Sequence, residues 1–151
     1  MSSATFIVSR LLVWNPFAPR RIHVSRLGRM GERRAAWFYR LRGYRVIGRN
    51  VRLAAGEIDL VARRGRTIVI VEVKTRQSFS AGEGHDAVTS AKRARLVRLA
   101  DQFVTGLRER NLEIRYDILS LFWNGRRFVV SHYADAFRPI ADARQPWRWS
   151  V

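Results

Sequence analysis

Several residue types that build common kinds of site are missing or scarce in this chain of 151 residues. There is no cysteine, which excludes disulfides and thiolate metal sites, and the histidines His23, His85 and His132 lack zinc-binding spacing. No apolar run approaches the roughly 18 to 20 residues of a membrane-spanning helix, and the short apolar stretch before Trp14 does not fit a secretory signal. We therefore expect a cytoplasmic protein in which any metal is hard and bound by oxygen.

Acidic residues are also scarce, since 12 Asp and Glu stand against 29 Lys and Arg, a net charge of +17. Only Lys74 and Lys92 are lysines, so nearly all of the positive charge is arginine, which binds phosphate through paired hydrogen bonds. The first 56 residues contain twelve arginines and one acid. Such a field attracts polyanions, and nucleic acid is the expected partner. A GC-rich genome that favours arginine codons is the alternative explanation.

The length fits one domain, which we place at residues 28–137, between an N-terminal extension at 1–27 and a C-terminal tail at 138–151. Pro16 and Pro19 break any helix in the extension, which we expect to be a poorly ordered basic arm. The alternatives are a start assigned too far upstream of the true one and a helix lying on a membrane surface.

Hydrophobic periodicity predicts the order helix, three strands, helix, two strands, an α/β fold with a mixed central sheet of about five strands. The first helix covers residues 31–41, with Glu32 on the same stripe as the residues that face the core. The second begins after a glycine-containing loop at 77–86, with Asp86 as its expected cap. Its buried stripe starts at Leu96.

Alternating and continuous apolar runs predict five strands, at residues 44–51, 58–62, 67–75, 114–123 and 127–133. Residues 67–71 are apolar on both faces, so this strand should be central. Asn124 and Gly125 are typical of a tight hairpin turn between the last two strands.

Two charged pairs interrupt these apolar strands. Glu72 and Lys74 follow the central run, and Glu57 and Asp59 lie in the preceding strand. Residues two apart in a strand share a face, so each pair projects to one side. Charge is rare in central strands, which indicates that these residues serve a purpose.

The register of the hairpin decides whether the two pairs meet. If the turn consists of two residues, Arg63 pairs with Arg66, Glu57 lies opposite Glu72, and Asp59 is diagonal to it. All four charges then share one face. Clustered carboxylates repel one another, and a bound divalent cation would relieve that repulsion.

The segments GEIDL at 56–60 and VEVKTR at 71–76 resemble the YraN-type family of small bacterial proteins. That family is similar to the Holliday-junction resolvases and other restriction-endonuclease-like nucleases, so the resemblance implies their fold. It extends over about residues 28–137. Outside the two segments it is carried by Gly28, Gly31, Glu32, Ala87, Val88, Lys92, Arg115, Tyr116, Asp117 and residues 132–137.

The resemblance implies that Asp59 and Glu72 bind Mg²⁺, with Mn²⁺ as a substitute. It further implies that Glu32 approaches as another ligand or water anchor, and that Lys74 orients the attacking water or stabilises the transition state. Phosphodiester cleavage requires these tasks. The expected catalytic set is therefore Asp59, Glu72, Lys74 and Glu32, of which the three acids are the expected metal ligands. Phosphate contacts are expected from Arg33, Arg76, Lys92, Arg93 and Arg95.

Each assignment has a structural alternative. Asp59, Glu72 and Lys74 would otherwise form an ion-pair network on a hairpin. Glu32 would be a helix charge favoured by the dipole, because it lies in the first turn of the predicted helix. Glu57 is as easily a supporting residue as a ligand, and Lys92 equally fits a solvated helix start.

These observations predict a Mg²⁺-dependent endonuclease that acts on DNA, branched DNA included, with RNA as the alternative substrate. The competing hypothesis is a non-catalytic DNA- or RNA-binding protein that keeps the nuclease fold. A peripheral membrane protein that uses residues 6–26 is the third. Junction cutters of this type act as dimers, so a homodimer is compatible with the first hypothesis, and Trp147 and Trp149 could belong to its interface.

Overall fold

The computed structural model describes residues 23–77, 89–142 and 145–150. In the described parts the chain forms two helices and six strands. Their bounds are α1 (Val24–Arg40), β1 (Arg45–Leu53), β2 (Gly56–Arg64), β3 (Thr67–Arg76), α2 (Ser90–Leu107), β4 (Glu113–Trp123), β5 (Phe128–Asp142) and β6 (Gln145–Ser150).

The strands lie side by side in chain order. β3 and β4 are parallel, with α2 between them in the chain, and all other neighbours are antiparallel. The predicted α/β fold and its order are thus confirmed, with β1 to β5 as the mixed sheet. β6 was not predicted. It pairs with the end of β5, so strands continue into residues 138–151, where the sequence pattern predicted no helix or strand.

Helix α1 packs on one face of the sheet through the predicted stripe, with Ala35, Ala36 and Tyr39 fully buried. The helix begins at Val24, and Leu27 is buried as well, so the predicted boundary at residue 27 falls inside a helix. Close approach to β3 requires Gly31, because a Cβ there would lie 2.1 Å from Thr75 Oγ1. Because α1 begins at Val24, Glu32 lies in the third turn of the helix instead of the first.

Helix α2 packs on the opposite face through Leu96, Val97, Leu99 and Ala100. Thr89 is its N-cap, and the Thr89 side chain accepts a hydrogen bond from the Lys92 amide at 3.3 Å. A cap of this kind stabilises a helix by about 1 kcal/mol. The prediction of Asp86 as the cap is therefore wrong. Apart from Gln77, the loop predicted at 77–86 lies outside the described residues.

The two faces of the sheet hold separate hydrophobic clusters, called here the α1 face and the α2 face. Val69 and Val71 of β3 pack on the α1 face, while Ile68 and Ile70 pack on the α2 face. All four are at most 1% exposed, which confirms the prediction that this strand is central. Burial of each such side chain contributes roughly 1.5 to 3 kcal/mol.

The β2–β3 hairpin has a different register from the predicted one. Arg64 pairs with Thr67, and Arg63 with Ile68, so Gly65 with a φ of 59° and Arg66 form the turn. The expected pairing of Arg63 with Arg66 is wrong by a shift of two residues. Such a shift keeps every side chain on its own face and changes only the partners.

The β4–β5 hairpin follows the prediction with a longer turn. Trp123 pairs with Phe128, which leaves four residues between the strands. The Asn124 side chain accepts hydrogen bonds from the amides of Arg126 and Arg127 at 3.0 and 2.9 Å, and Gly125 has a φ of 93°. Among the helices described, neither is long and apolar enough to span a membrane.

Candidate active site

Strands β2 and β3 separate at Asp59. Their pairing ends at Leu60 and Val71, and beyond this point the Val73 amide donates to Asp59 Oδ2 at 2.8 Å. The alternation of β2 also breaks here, since Leu60 packs on the α1 face and Ile58, two residues away, packs on the α2 face. The Asp59 carboxylate therefore occupies the gap between two diverging strands and takes the place of a backbone partner.

The environment of Asp59 favours its neutral form. Burial raises the pKa of the carboxyl to about 6 and outweighs the hydrogen bond from Val73, which lowers it. The nearby carboxylates of Glu72 and Glu32 raise the pKa further, while Lys92 lowers it. Three acids and one lysine thus share one electrostatic field, in which an added cation would be favoured.

Glu72 lies on the α2 face of β3, where it forms an ion pair with Lys92 of α2. The Glu72 side chain is only 12% exposed, against 36% for Lys92. Lys92, one turn before the predicted stripe of α2, contacts Glu72 while its side chain stays partly exposed.

Lys74 lies two residues beyond Glu72 on the same strand. Burial lowers the pKa of its amine, and the neighbouring charge of Lys92 lowers it further, whereas Glu72 opposes the shift. Its interaction with both residues places the amine in the same field as the acids. Asp59 and Lys74 thus each interact electrostatically with Glu72, and Lys92 forms an ion pair with it.

Glu32 of helix α1 also lies near Asp59. It lines a pocket of about 190 Å³ with Asp59, Val73 and Thr75, and Asn50 of β1 donates to Glu32 Oε2 at 2.9 Å. The alternative in which the helix dipole holds Glu32 fails, because α1 begins two turns earlier and has no acid in its first turn.

Glu57 does not belong to this group. It is exposed and forms an ion pair of 3.7 Å with Arg52, its partner on β1. The expectation that four charges of the hairpin converge is therefore wrong for Glu57. The shifted register brings Asp59 instead of Glu57 toward Glu72.

The donor set suits a hard cation held by few protein ligands. Within residues 23–77, 89–142 and 145–150, no three Asp, Glu, His or Cys side chains converge closely enough to hold a metal ion. Direct ligation by Glu32 together with Asp59 and Glu72 is thus not formed. Two carboxylates, Asp59 and Glu72, do fit Mg²⁺, which keeps several waters and commonly takes one or two carboxylates.

The predicted phosphate-binding residues are spread around the site. Arg33 is exposed on α1, and Arg95 is exposed on α2 beside Gly56. Arg93 lies over the Phe137 ring at 5.7 Å, and Arg76 is half-buried at the end of β3. Lys92 contacts the Glu72 carboxylate.

A second charged cluster, not predicted as a site, centres on Asp117 of β4, which is 1% exposed on the α1 face. The Arg115 guanidinium donates to both carboxylate oxygens at 2.8 Å, and the Tyr39 hydroxyl donates to Oδ2 at 2.8 Å. His132 Nε2 lies 2.8 Å from Oδ2, and the Asp135 amide donates to Oδ1 at 3.0 Å.

These hydrogen bonds decide the charge of Asp117. Burial alone would raise the pKa of its carboxyl, but the bonds from Arg115, His132, the Asp135 amide and Tyr39 outweigh burial and lower it. The cluster ties α1 to β4 and β5. The signal was present in the sequence, because Arg115 and Asp117 are opposite charges two apart in an apolar strand. In the sequence, Arg115 and Asp117 contribute only to the family resemblance.

Comparison with known proteins connects the chain to one family. A family model described as "Uncharacterised protein family UPF0102" matches residues 31–121, more than half of the chain, and bears out the resemblance to YraN-type proteins. A UPF0102 protein of Symbiobacterium thermophilum is 45% identical over 96 residues, 64% of this chain and 81% of the relative. One of Caldicellulosiruptor saccharolyticus is 38% identical over 104 residues, 69% and 88% of the two chains.

Proposed function

We propose that this chain, which belongs to the uncharacterised protein family UPF0102, is a Mg²⁺-dependent endonuclease that hydrolyses phosphodiester bonds in DNA. One observation carries the proposal. The Asp59 carboxylate, whose pKa burial raises to about 6, lies in the same electrostatic field as Glu72 and Lys92, in the gap between strands β2 and β3. Perturbed carboxylates beside a basic amine are typical of sites for metal-assisted hydrolysis.

Asp59 and Glu72 are the residues that would hold the ion. When bound, Mg²⁺ would neutralise charge on the scissile phosphate and lower the pKa of an attacking water. Asp59 is held for this task by the Val73 amide, which fixes Oδ2 at 2.8 Å and leaves Oδ1 for another partner. Glu32, held by Asn50 across the pocket, would accept a hydrogen bond from a water of the ion.

The two lysines take different parts. The lowered pKa of the Lys74 amine suits a group that orients water or donates to a developing charge on phosphate. Lys92 neutralises Glu72 in the free protein. On substrate binding the Lys92 amine would pass from Glu72 to a phosphate oxygen, because the ion then supplies the positive charge that Glu72 requires.

Arginines around the site would grip the backbone of the substrate. Arg33 of α1 and Arg95 of α2 are exposed, Arg76 is half-buried at the end of β3, and Arg93 lies on α2. Arginine contacts to phosphate position a duplex without reading its sequence. DNA is the favoured substrate, branched DNA included, and RNA the alternative. The activity would take place in the cytoplasm, and a homodimer would present two such sites to a junction.

The test is cleavage of four-way, flapped and linear DNA and of RNA in Mg²⁺, in Mn²⁺ and in EDTA. Asp59→Asn and Lys74→Ala should each lower the rate about 100-fold or more while binding is retained. Glu57→Gln is the matched control, because Glu57 is an acid of the same strand that pairs with Arg52 outside the site. Cleavage that persists in Asp59→Asn, or metal-dependent cleavage of no substrate, contradicts the proposal.

A non-catalytic nucleic-acid-binding protein is the second candidate, and the Lys92–Glu72 ion pair favours it. A site whose acid is neutralised by its own lysine needs no metal to be stable. The two candidates differ in metal affinity. A nuclease should show a Mg²⁺-dependent rise in melting temperature that Asp59→Asn abolishes, whereas a binder without metal should show the same melting temperature in Mg²⁺ and EDTA.

A further inference from the structure

Helix α1 carries a basic surface on the side that faces away from the sheet. Successive turns expose arginines and one tryptophan, and we call this surface the α1 outer face. It consists of Arg26, Arg29, Arg33, Arg34, Trp37 and Arg40, all exposed. From Arg26 to Arg40 it measures about 21 Å, at about 1.5 Å per helical residue, which is long enough to contact several nucleotides.

The arginines of this face are not used by the fold. Among the residues that the structure describes, none of the five forms an ion pair or a side-chain hydrogen bond. Other arginines of the chain do have such roles, since Arg42 stacks on the Phe38 ring at 3.5 Å and Arg63 pairs with Glu109 at 2.7 Å. Five unpaired guanidinium groups on one helix face complement a polyanion.

Trp37 adds a feature that a purely electrostatic surface does not need. Trp37 is 57% exposed, whereas its neighbours Ala36 and Phe38 are only 1% and 6% exposed. Arg33 and Arg40 lie one turn before and after it on the same side of the helix. An exposed indole between two arginines is the arrangement on which unpaired bases stack, with the backbone held on either side.

Helix α1 also borders the active site, through residues on its inner side. Leu27, Gly28 and Glu32 of the same helix line the pocket that contains Asp59. The α1 outer face and the pocket therefore lie on opposite sides of one helix, about 10 Å across.

We propose that the α1 outer face binds an unpaired nucleic-acid strand, with phosphates on its arginines and a base stacked on Trp37. This deepens the proposed function and rests on it, because the strand is part of the proposed substrate. Within a duplex the faces of the bases are covered by their neighbours. A stacking residue therefore selects substrates with unpaired nucleotides, such as flaps, single-stranded ends and open junctions.

The test measures binding in EDTA, so that it does not depend on cleavage. Fluorescence anisotropy would compare a labelled single strand, the same sequence as a blunt duplex, and a duplex with a single-stranded flap. Trp37→Ala should weaken binding of the single strand and the flap about 5- to 100-fold and binding of the duplex less than twofold. Trp37→Phe should retain most of the affinity. An equal loss on all three ligands, or no loss, overturns the proposal.

Two controls separate the alternatives. Val129→Ala changes a 50% exposed apolar residue on β5 and should alter none of the affinities, and circular dichroism should show that both Trp37 variants are folded. Sedimentation with phosphatidylserine vesicles that requires Trp37, together with unchanged single-strand binding, would assign the face to membranes instead. If no substrate is cleaved but the Trp37-dependent preference persists, only the catalytic proposal fails. If cleavage occurs without that preference, only the present inference fails.

Discussion

At Asp59 hydrogen bonding and burial act in opposite directions. The Val73 amide stabilises the ionised carboxylate, yet burial raises its pKa to about 6, above the usual 3.8. The folded protein therefore binds a proton at Asp59 more tightly than the unfolded chain does. Its contribution to stability is complete below the unfolded pKa near 3.8 and is lost as the pH rises through about 6. At neutral pH the charged form is destabilising unless a cation joins it.

Replacement of Asp59 by asparagine should stabilise the protein at high pH only. Asparagine keeps an oxygen for the Val73 amide and carries no charge. Relative to wild type, the free energy of unfolding of Asp59→Asn should be nearly equal at pH 4 and about 1 to 3 kcal/mol higher at pH 8. Urea denaturation across this range measures the difference.

Mg²⁺ provides the internal control for this prediction. Millimolar Mg²⁺ at pH 8 should raise the stability of the wild type toward that of Asp59→Asn and leave the variant unchanged. Glu57→Gln, which removes an exposed acid, should show no such pH dependence. A wild type that is more stable than Asp59→Asn at pH 8 without metal would contradict the explanation by burial.

At the scale of elements, helix α1 is held at two places along its length. Gly31 allows close contact with Thr75 of β3 near the active site, and Tyr39 bonds to Asp117 of β4 further along. The second contact also joins Arg115 and His132. Because Glu32 and Trp37 lie between these places, the Asp117 cluster sets how α1 presents both side chains.

Removal of the Asp117 carboxylate should therefore loosen α1 and destabilise the whole domain. In Asp117→Ala the half-buried Arg115 loses both of its bonds to the acid, and Tyr39 is left with only His132 as a partner. We expect a loss of about 2 to 4 kcal/mol in the free energy of unfolding. Because folding lowers the pKa of Asp117, its contribution to stability is present above the pKa of the unfolded chain. That contribution declines as the pH falls through the pKa of the folded protein.

Chemical denaturation near pH 7 would measure this loss. Glu113→Ala is the matched control, because Glu113 is an exposed acid on the same strand, and its change should stay within about 0.5 kcal/mol. A loss in Asp117→Ala no larger than that of the control would show that the cluster contributes little to the fold.

The elements themselves were largely predictable. The stripe through Ala35, Ala36 and Tyr39 predicted α1, and the apolar run at 67–71 predicted the central strand. Boundaries were less predictable, since α1 begins at Val24 and α2 is capped by Thr89. Helix ends depend on contacts such as that of Leu27 with the core, which periodicity alone does not reveal. The division into residues 1–27, 28–137 and 138–151 stays a prediction.

At the scale of the whole molecule, charge is distributed unevenly. The net charge is +17, and the first 56 residues hold twelve arginines and one acid. Six of those arginines, at positions 26, 29, 33, 34, 40 and 42, lie on or directly after α1, and the acid is Glu32 of the site. The molecule thus presents a basic surface around a small acidic centre.

Binding of nucleic acid should accordingly depend steeply on salt. A plot of log affinity against log salt concentration should have a slope of about −4 or steeper, since each phosphate contact contributes about −0.7 to −0.9. Arg33→Ala should make the slope shallower by about one contact for single-stranded and duplex DNA alike, and Arg33→Lys should restore it. Anisotropy titrations over a range of salt concentrations measure this. A slope near zero would mean that the positive charge is not used in binding.

Local patterns in the sequence predicted the order of elements, the central strand and the basic character of the chain. These depend on short-range periodicity and composition. Tertiary packing set the hairpin register, the exclusion of Glu57, the pairing of Lys92 with Glu72 and the burial of Asp117. The physical reason is that a register shift of two residues leaves every side chain on its face, so the pattern is the same for both registers. Packing of both helices against the sheet and the turn at Gly65 select between them.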